Sequence, residues 1–534
     1  MRRTLTAAVL LCALGASAQT FRPEAIRGHM SFLAHDLLEG RATGSRGYAL
    51  AAEYVAAQYQ IHGLEPGAGG SYFQTVPFRR TIPDTSSTIT LTRAGAAPVT
   101  LRFGDHFTTY GDPLSTHKVV EGDVVFAGFG ITAPERKYDD YAKLDVRGKI
   151  VAIYSGAPKN LPNAVRAHYA SSVTKLENAA AHGAIGLITL STPVDAARSP
   201  WERTVRQTKL GTMNWLRADD TPASVFPAVS APVSFNGAAA ELLFAGARTN
   251  LSEVITSIES GAPKPFALPT RVRMELGARH ESLQSPNVVG ILRGSDLALR
   301  REYVVYSAHL DHVGITEPVN GDSINNGALD NASGIAAMLE IARAFAALPE
   351  RPRRSIIFLA TTGEEKGLRG ADYFANNPTV PLDGLVANIN IDQILMLTRT
   401  RDLVALGGET NDIGDTAERV AREMRIELSP DPFPDEVFFV RSDQYPFVKK
   451  GIPALYVTAG YKAVDPAIDA QKRMDEWMRA RYHSPSDDMS QPLDFAEGAL
   501  VAEFDFRLGL ALANADARPR WRPGDFLGEK FGRK

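Results

Sequence analysis

Five acidic or imidazole residues, far apart in the chain, have the types needed to hold divalent cations: His309, Asp330, Glu365, Asp392 and His483. Borderline dications take neutral imidazole nitrogen and carboxylate oxygen. Two ions about 4 Å apart need one bridging carboxylate and together clamp one water. One bridging Asp with two terminal ligands per ion accounts for five residues. Glu364 precedes Glu365 in T-T-G-E-E-K-G, points differently, and is left over as a general base. Asp311, two residues after His309 in S-A-H-L-D-H-V-G, is placed to hold the His309 imidazole in one tautomer. Asp487 in R-Y-H-S-P-S-D is placed to do so for His483. Each signal has a plainer reading. H-x-D is more often a satisfied polar pair, Asp330 suits a helix N-cap, and paired acids suit a helix N-terminus. His312 reads as a residue beside the site or on the surface.

The elements around these residues raise the odds. Apolar, β-rich runs at 304–308, 355–362 and 386–391 end directly before His309, Glu364-Glu365 and Asp392. Between the first two, 331–348 has apolar residues at Ile335, Met338, Leu339, Ala342 and Phe345, which is helical spacing. Strands alternating with helices imply an α/β domain with a parallel sheet, whose sites collect outside the carboxyl ends of the strands. One rim would then receive all these groups.

A chain of 534 residues is long enough for more than one domain. Its net charge of -3 makes no electrostatic case for nucleic acid or an anionic membrane. No run after the amino terminus is long and apolar enough to span a bilayer. Residues 1–18 read as a secretory signal: Arg2-Arg3, an apolar run at 5–14, then Ala16-Ser17-Ala18. The expected location is secreted or periplasmic. The single cysteine, Cys12, lies inside that signal, so the mature chain is expected to have no disulfide and no thiol chemistry. The texture changes near Gly111-Asp112-Pro113, and short strands and turns follow. Residues 116–268 therefore read as a β-rich insert without clustered ligands, between catalytic segments at 19–115 and 269–515. The last part, 516–534, reads as a polar, disordered tail.

The order H-x-D, G-A-x-D-N-x-S-G, G-E-E, I-x-x-D and Y-H-x-x-x-D resembles metallopeptidase family twenty-eight, the co-catalytic di-zinc aminopeptidases. Leu38-Glu39-Gly40-Arg41 resembles the family's amino-terminal segment. Arg441-Ser442-Asp443-Gln444 and Gly451-Ile452-Pro453-Ala454 resemble its later motifs, with Gln444 where many relatives carry His. The run Tyr141-Ala142-Lys143-Leu144-Asp145-Val146-Arg147-Gly148-Lys149-Ile150-Val151 resembles the marker of a protease-associated domain. The resemblance implies the zinc exopeptidase fold, a mixed, mainly parallel sheet flanked by helices, with a protease-associated insert. It implies two zinc ions per chain: His309 and Asp392 on one, Glu365 and His483 on the other, Asp330 bridging. It implies Glu364 as the base that takes a proton from the water the zincs share, and peptides with a free N-terminus as substrates. Tyr482 is similar to a family tyrosine that hydrogen-bonds the oxyanion; equally it reads as an aromatic packed beside a ligand. Arg441 reads as a substrate contact or as the partner of an acid.

Other members of the fold set the alternatives. Carboxypeptidases acting on acidic C-terminal residues need a basic cluster, and no Arg-rich run lies near the ligands in sequence. Glutaminyl cyclases use a single zinc. Receptor-like members have lost ligands and only bind, whereas all five ligands and the base are present here. The insert supplies no ligand and no base, so its expected role is to limit which substrates reach the metals.

Overall fold

The computed structural model describes residues 20–434 and 436–533, and at Arg198 the backbone only. The secretory signal expected at 1–18 lies outside them. Two sheets organise the chain. The first has four central parallel strands in the order Ser355–Thr361, Tyr303–His309, Leu385–Asn390 and Ala454–Ala459. Antiparallel partners flank them on both sides: Phe266–Leu292 at one and Asp402–Leu406 at the other. The three central strands 303–309, 355–361 and 385–390 are buried throughout. That explains why apolar residues occupy successive positions in them, since helices cover both faces.

Period-2 alternation divides the side chains between two cores. Val304, Tyr306 and Ala308 pack with Leu339, Phe345 and Leu508, from the helices Ser333–Ala346 and Phe495–Asn514. Tyr303 and Val305 pack with Phe374 and Phe447, from the helices Arg369–Asn376 and Gln444–Val448. Among the described residues no helix is long and apolar enough to cross a membrane.

The second sheet belongs to the insert, and its limits differ from 116–268. Strands Thr88–Thr92 and Val99–Arg102, expected in the catalytic segment, pair within the insert's sheet. The joint is a single strand, Phe266–Leu292. Its first part pairs with His117–Phe126 and its later part with Phe73–Pro83, in the catalytic sheet. Pro269, which reads as a domain exit, lies instead where the register against His117–Phe126 shifts between Ala267 and Arg271. Residues 163–181 form two helices, Asn163–Ala170 and Ser172–Ala181.

The expected disordered tail is ordered. Phe526 and Leu527 of the helix Phe526–Phe531 are buried, and the Trp521 indole donates to the Gly451 carbonyl at 3.2 Å. Its apolar residues at 521, 526, 527 and 531 find a core that local composition does not reveal.

Asp505, inside the helix Phe495–Asn514, is fully buried and neither carboxylate oxygen has a hydrogen-bond partner. Burial pushes its pKa well above the ordinary value. Unfolding frees the group to ionise, so its contribution is neutral at acid pH and turns against the fold as pH rises above the ordinary carboxylate range. Asp505→Ala should therefore raise stability at pH 7 by about 1–3 kcal/mol, the cost of one unsatisfied buried group. The gain should be smaller near pH 3, where the carboxyl is protonated in both states and only its missing hydrogen bonds still count against the parent. Denaturant titrations at the two pH values check this; an equal gain at both would assign it to helix propensity instead.

Candidate metal centre

Parallel register brings the strand ends to one rim. His309 ends its strand opposite Thr361, and Ser307 pairs with Asn390, two residues before Asp392. Glu364 and Glu365 stand in a short 3-10 turn, Glu364–Lys366, rather than at a helix start. Asp330 is not an N-cap. The helix begins at Ser333, and Asn331 Oδ1 accepts the Gly334 N–H at 2.9 Å in the capping role. That leaves the Asp330 carboxylate free to face the rim; its peptide bond to Asn331 is cis. His483 follows the helix Ala470–Ala480 with a left-handed φ of 52°.

The five residues meet. Asp330 Oδ1 lies 3.2 Å from His309 Nε2, and Asp330 Oδ2 lies 3.2 Å from His483 Nε2. His309 Nε2 is also 3.1 Å from Asp392 Oδ1, and His483 Nε2 is 3.1 Å from Glu365 Oε2. His312, read from sequence as peripheral, is fully buried within this cluster. Its Nδ1 is 2.7 Å from Glu365 Oε1 but off the angle a hydrogen bond needs, so both ring nitrogens and that oxygen are left without a hydrogen-bond partner. Two donor groups result, His309–Asp330–Asp392 and His312–Asp330–Glu365, with His483 beside the second.

The residues expected to orient the imidazoles do other work. His309 Nδ1 is held by the backbone carbonyl of Asp311 at 3.0 Å, not by its carboxylate. The Asp311 carboxylate accepts from Thr43 Oγ1 at 2.9 Å and from the Glu364 N–H at 3.1 Å, so it fixes the turn carrying Glu364. Asp487 does not reach His483. Its carboxylate accepts the N–H groups of Leu329 and Asp330, both at 3.0 Å, and so supports the Asp330 turn.

Further side chains, given no role by the sequence reading, hold the cluster. Ser442 Oγ donates to Asp392 Oδ2 at 2.6 Å, Gln393 Nε2 donates to Asp330 Oδ2 at 3.1 Å, and Tyr456 donates to the Asp392 carbonyl at 2.9 Å. Arg41, fully buried, donates to Leu310 O at 3.0 Å, Asn326 O at 2.6 Å and Gly327 O at 3.0 Å. It joins the loop after His309 to the loop before Asp330. The Leu38-Glu39-Gly40-Arg41 motif carried this signal, but its partners are 269 to 286 residues away.

Charge is concentrated here. Burial pushes the Glu364 carboxyl up; His309 opposes, but Asp392, Glu365 and Asp443 add to burial, and the group stands well above its ordinary value. Asp443 is pushed up to about 7, mainly by burial. Asp330, despite burial, is held well below the ordinary range by hydrogen bonds from His309 and His483. His483 is raised to about 9: burial lowers it, but Glu365 and Asp330 more than offset that. Converging carboxylates in a low-dielectric setting call for positive charge, and the donors are the oxygen and imidazole atoms that zinc takes. The set fits bound zinc.

His309, Asp330, Glu364, Asp392, Arg441 and Tyr482 line one small recess. The Tyr482 ring stacks on His483 at 3.9 Å. Arg441 pairs with Glu436 at 3.1 Å and covers the Phe438 ring. Gln444 is buried and donates to Phe439 O at 2.7 Å, which makes it part of the packing. A larger cavity of about 580 Å³ opens between the insert and the catalytic sheet, with Glu365 and His483 in its wall.

Residues 287–500 match the model of Peptidase family M28. A protein from Pyricularia oryzae described as a "Probable zinc metalloprotease" is 29% identical over 262 residues, which is 44% of this chain and 51% of that one. "Aminopeptidase NAALADL1" of Mus musculus is 36% identical over 132 residues, 24% of this chain and 16% of that one. The chain thus spans about half the length of the fungal relative and less of the mouse protein. Among solved structures, "Aminopeptidase from Aneurinibacillus sp. strain AM-1" shares the fold at 18% identity, with a TM-score of 0.53 and 95% of each chain covered.

Proposed function

We propose that this chain, whose residues 287–500 belong to peptidase family M28, is a zinc-dependent aminopeptidase that removes N-terminal residues from peptides. The observation that carries the reading is Asp330: its two oxygens stand equally far, 3.2 Å, from His309 and His483. A carboxylate so placed could serve two ions, one from each oxygen. His309 and Asp392 would hold one zinc, Glu365 and His483 the other. Zinc supplies Lewis acidity to a water and to the scissile carbonyl. Glu364 accepts the water's proton and delivers it to the leaving amine. The burial and neighbouring carboxylates that raise its pKa make the carboxylate a stronger acceptor for that proton. Tyr482, in the same recess, is the candidate donor to the developing oxyanion.

A peptide with a free N-terminus and an amidated C-terminus should be hydrolysed, and its N-acetylated counterpart should resist. The reverse preference would replace this reading with the second one. That second reading, a carboxypeptidase for acidic C-terminal residues, has one observation in its favour. Lys175 from the insert, and Lys366 and Arg369 from the turn after Glu365, reach the wall of the larger cavity.

The insert is read as a protease-associated domain that restricts access to this cavity. The protein is proposed to act outside the cytoplasm. Mass spectrometry of the mature chain should find Gln19 first; an intact Met1 would remove the basis for that location.

A further inference from the structure

We infer that the insert completes the metal centre: its helix Trp201–Lys209 carries two positioning residues, Gln207 and Arg203, that set the orientation of His483. The inference rests on the reading of His483 as a zinc ligand given above.

His483 Nε2 faces Asp330 and Glu365, so its other nitrogen decides the tautomer and the ring plane. The side chain beside Nδ1 is Gln207, whose amide stands 3.4 Å away. A ligand imidazole that offers the Nε2 lone pair carries its proton on Nδ1. The carboxamide of Gln207 can turn its oxygen to accept that proton, since its two ends are alike in shape. One helical turn earlier, Arg203 Nη2 donates to the Tyr482 carbonyl at 2.9 Å, and its guanidinium lies 5.5 Å from the Tyr482 ring centroid. Residues four apart share a helix face, so one face of this helix holds both the backbone before His483 and the imidazole itself. That hold matters because His483 sits at φ 52°, a conformation an L-residue seldom adopts unaided.

The helix is itself fixed to both domains. Trp201 Nε1 donates to Gly104 O at 2.6 Å within the insert. The strand that follows, Thr212–Trp215, leaves the insert's sheet and pairs with Phe73–Pro83 at the edge of the catalytic sheet. The Trp215 indole then donates to Asp372 Oδ2 at 2.7 Å. The chain returns to the insert's sheet at Val233–Phe235. An excursion anchored at both ends holds its helix against the site, as an orienting partner requires.

The test uses full-length protein, with zinc affinity measured by competition against a chromogenic chelator. Gln207→Leu should weaken one of the two ions by about 10- to 100-fold and leave the other unchanged, the usual cost of losing a ligand's outer partner. Gln207→Glu, which keeps an acceptor for the Nδ1 proton, should bind at least as tightly as the parent. Arg203→Met should weaken the same ion as Gln207→Leu. A folded Gln207→Leu protein with parental affinity for both ions overturns the inference, as does weaker binding by Gln207→Glu; the latter still decides if Gln207→Leu does not fold. A fall in the melting temperature of metal-free Gln207→Leu, with affinities unchanged, would make the contact mere packing. His483→Ala separates the two levels. If it leaves both affinities intact, the ligand reading has failed. If it weakens one and Gln207→Leu weakens none, only the positioning role has.

Discussion

Glu364→Gln should bind zinc like the parent and turn over about 10²- to 10⁴-fold more slowly, the range for a lost general base. The amide keeps the size of the carboxyl and cannot take a proton. The local frame should survive, because the Glu364 contact that fixes the turn is made by its backbone: the N–H donates to Asp311 Oδ1 at 3.1 Å. The substitution also removes one of the like charges that crowd Asp392 and Glu365. Metal-free protein should therefore be no less stable than the parent. Turnover near the parental value would leave the base unidentified, and loss of zinc would make Glu364 a ligand.

Asp330→Asn should do what no other single substitution in the cluster does, emptying both positions. The parent is expected to carry about two ions per chain, the complement of a two-metal hydrolytic site. The variant should carry almost none, and activity should fall by roughly 10⁴-fold or more, since water activation and carbonyl polarisation disappear together. The reason is the geometry at Asp330. One oxygen serves the His309 side and the other the His483 side, and an amide replaces one of them with a donor. Asp392→Asn is the matched control. Asp392 approaches His309 alone among the histidines and should cost about one ion of the two. Elemental analysis of the two purified variants distinguishes the cases. Equal metal loss in both would mean that Asp330 is an ordinary terminal ligand.

What the sequence determined is the rim. A β-rich apolar run that ends before His309, another that ends before Glu364 and Glu365, and a third that ends before Asp392 become parallel strands, and parallel register aligns their ends. Local pattern and side-chain chemistry suffice for that, because His309, Glu365 and Asp392 each stand at or just after the end of their own strand. Tertiary structure alone decided what holds those ligands. The atom of Asp311 that meets His309 is its carbonyl, a matter of backbone path and not of residue type. His312 is inside because the chain turns inward after His309, which spacing does not encode. Gln207 comes to His483 across 276 residues and from the insert, so no local motif could pair them. The domain limits were hidden for a related reason: the strand Phe266–Leu292 serves two sheets and carries no turn at the joint. A strand's pattern reports which face is buried, but not which sheet has buried it.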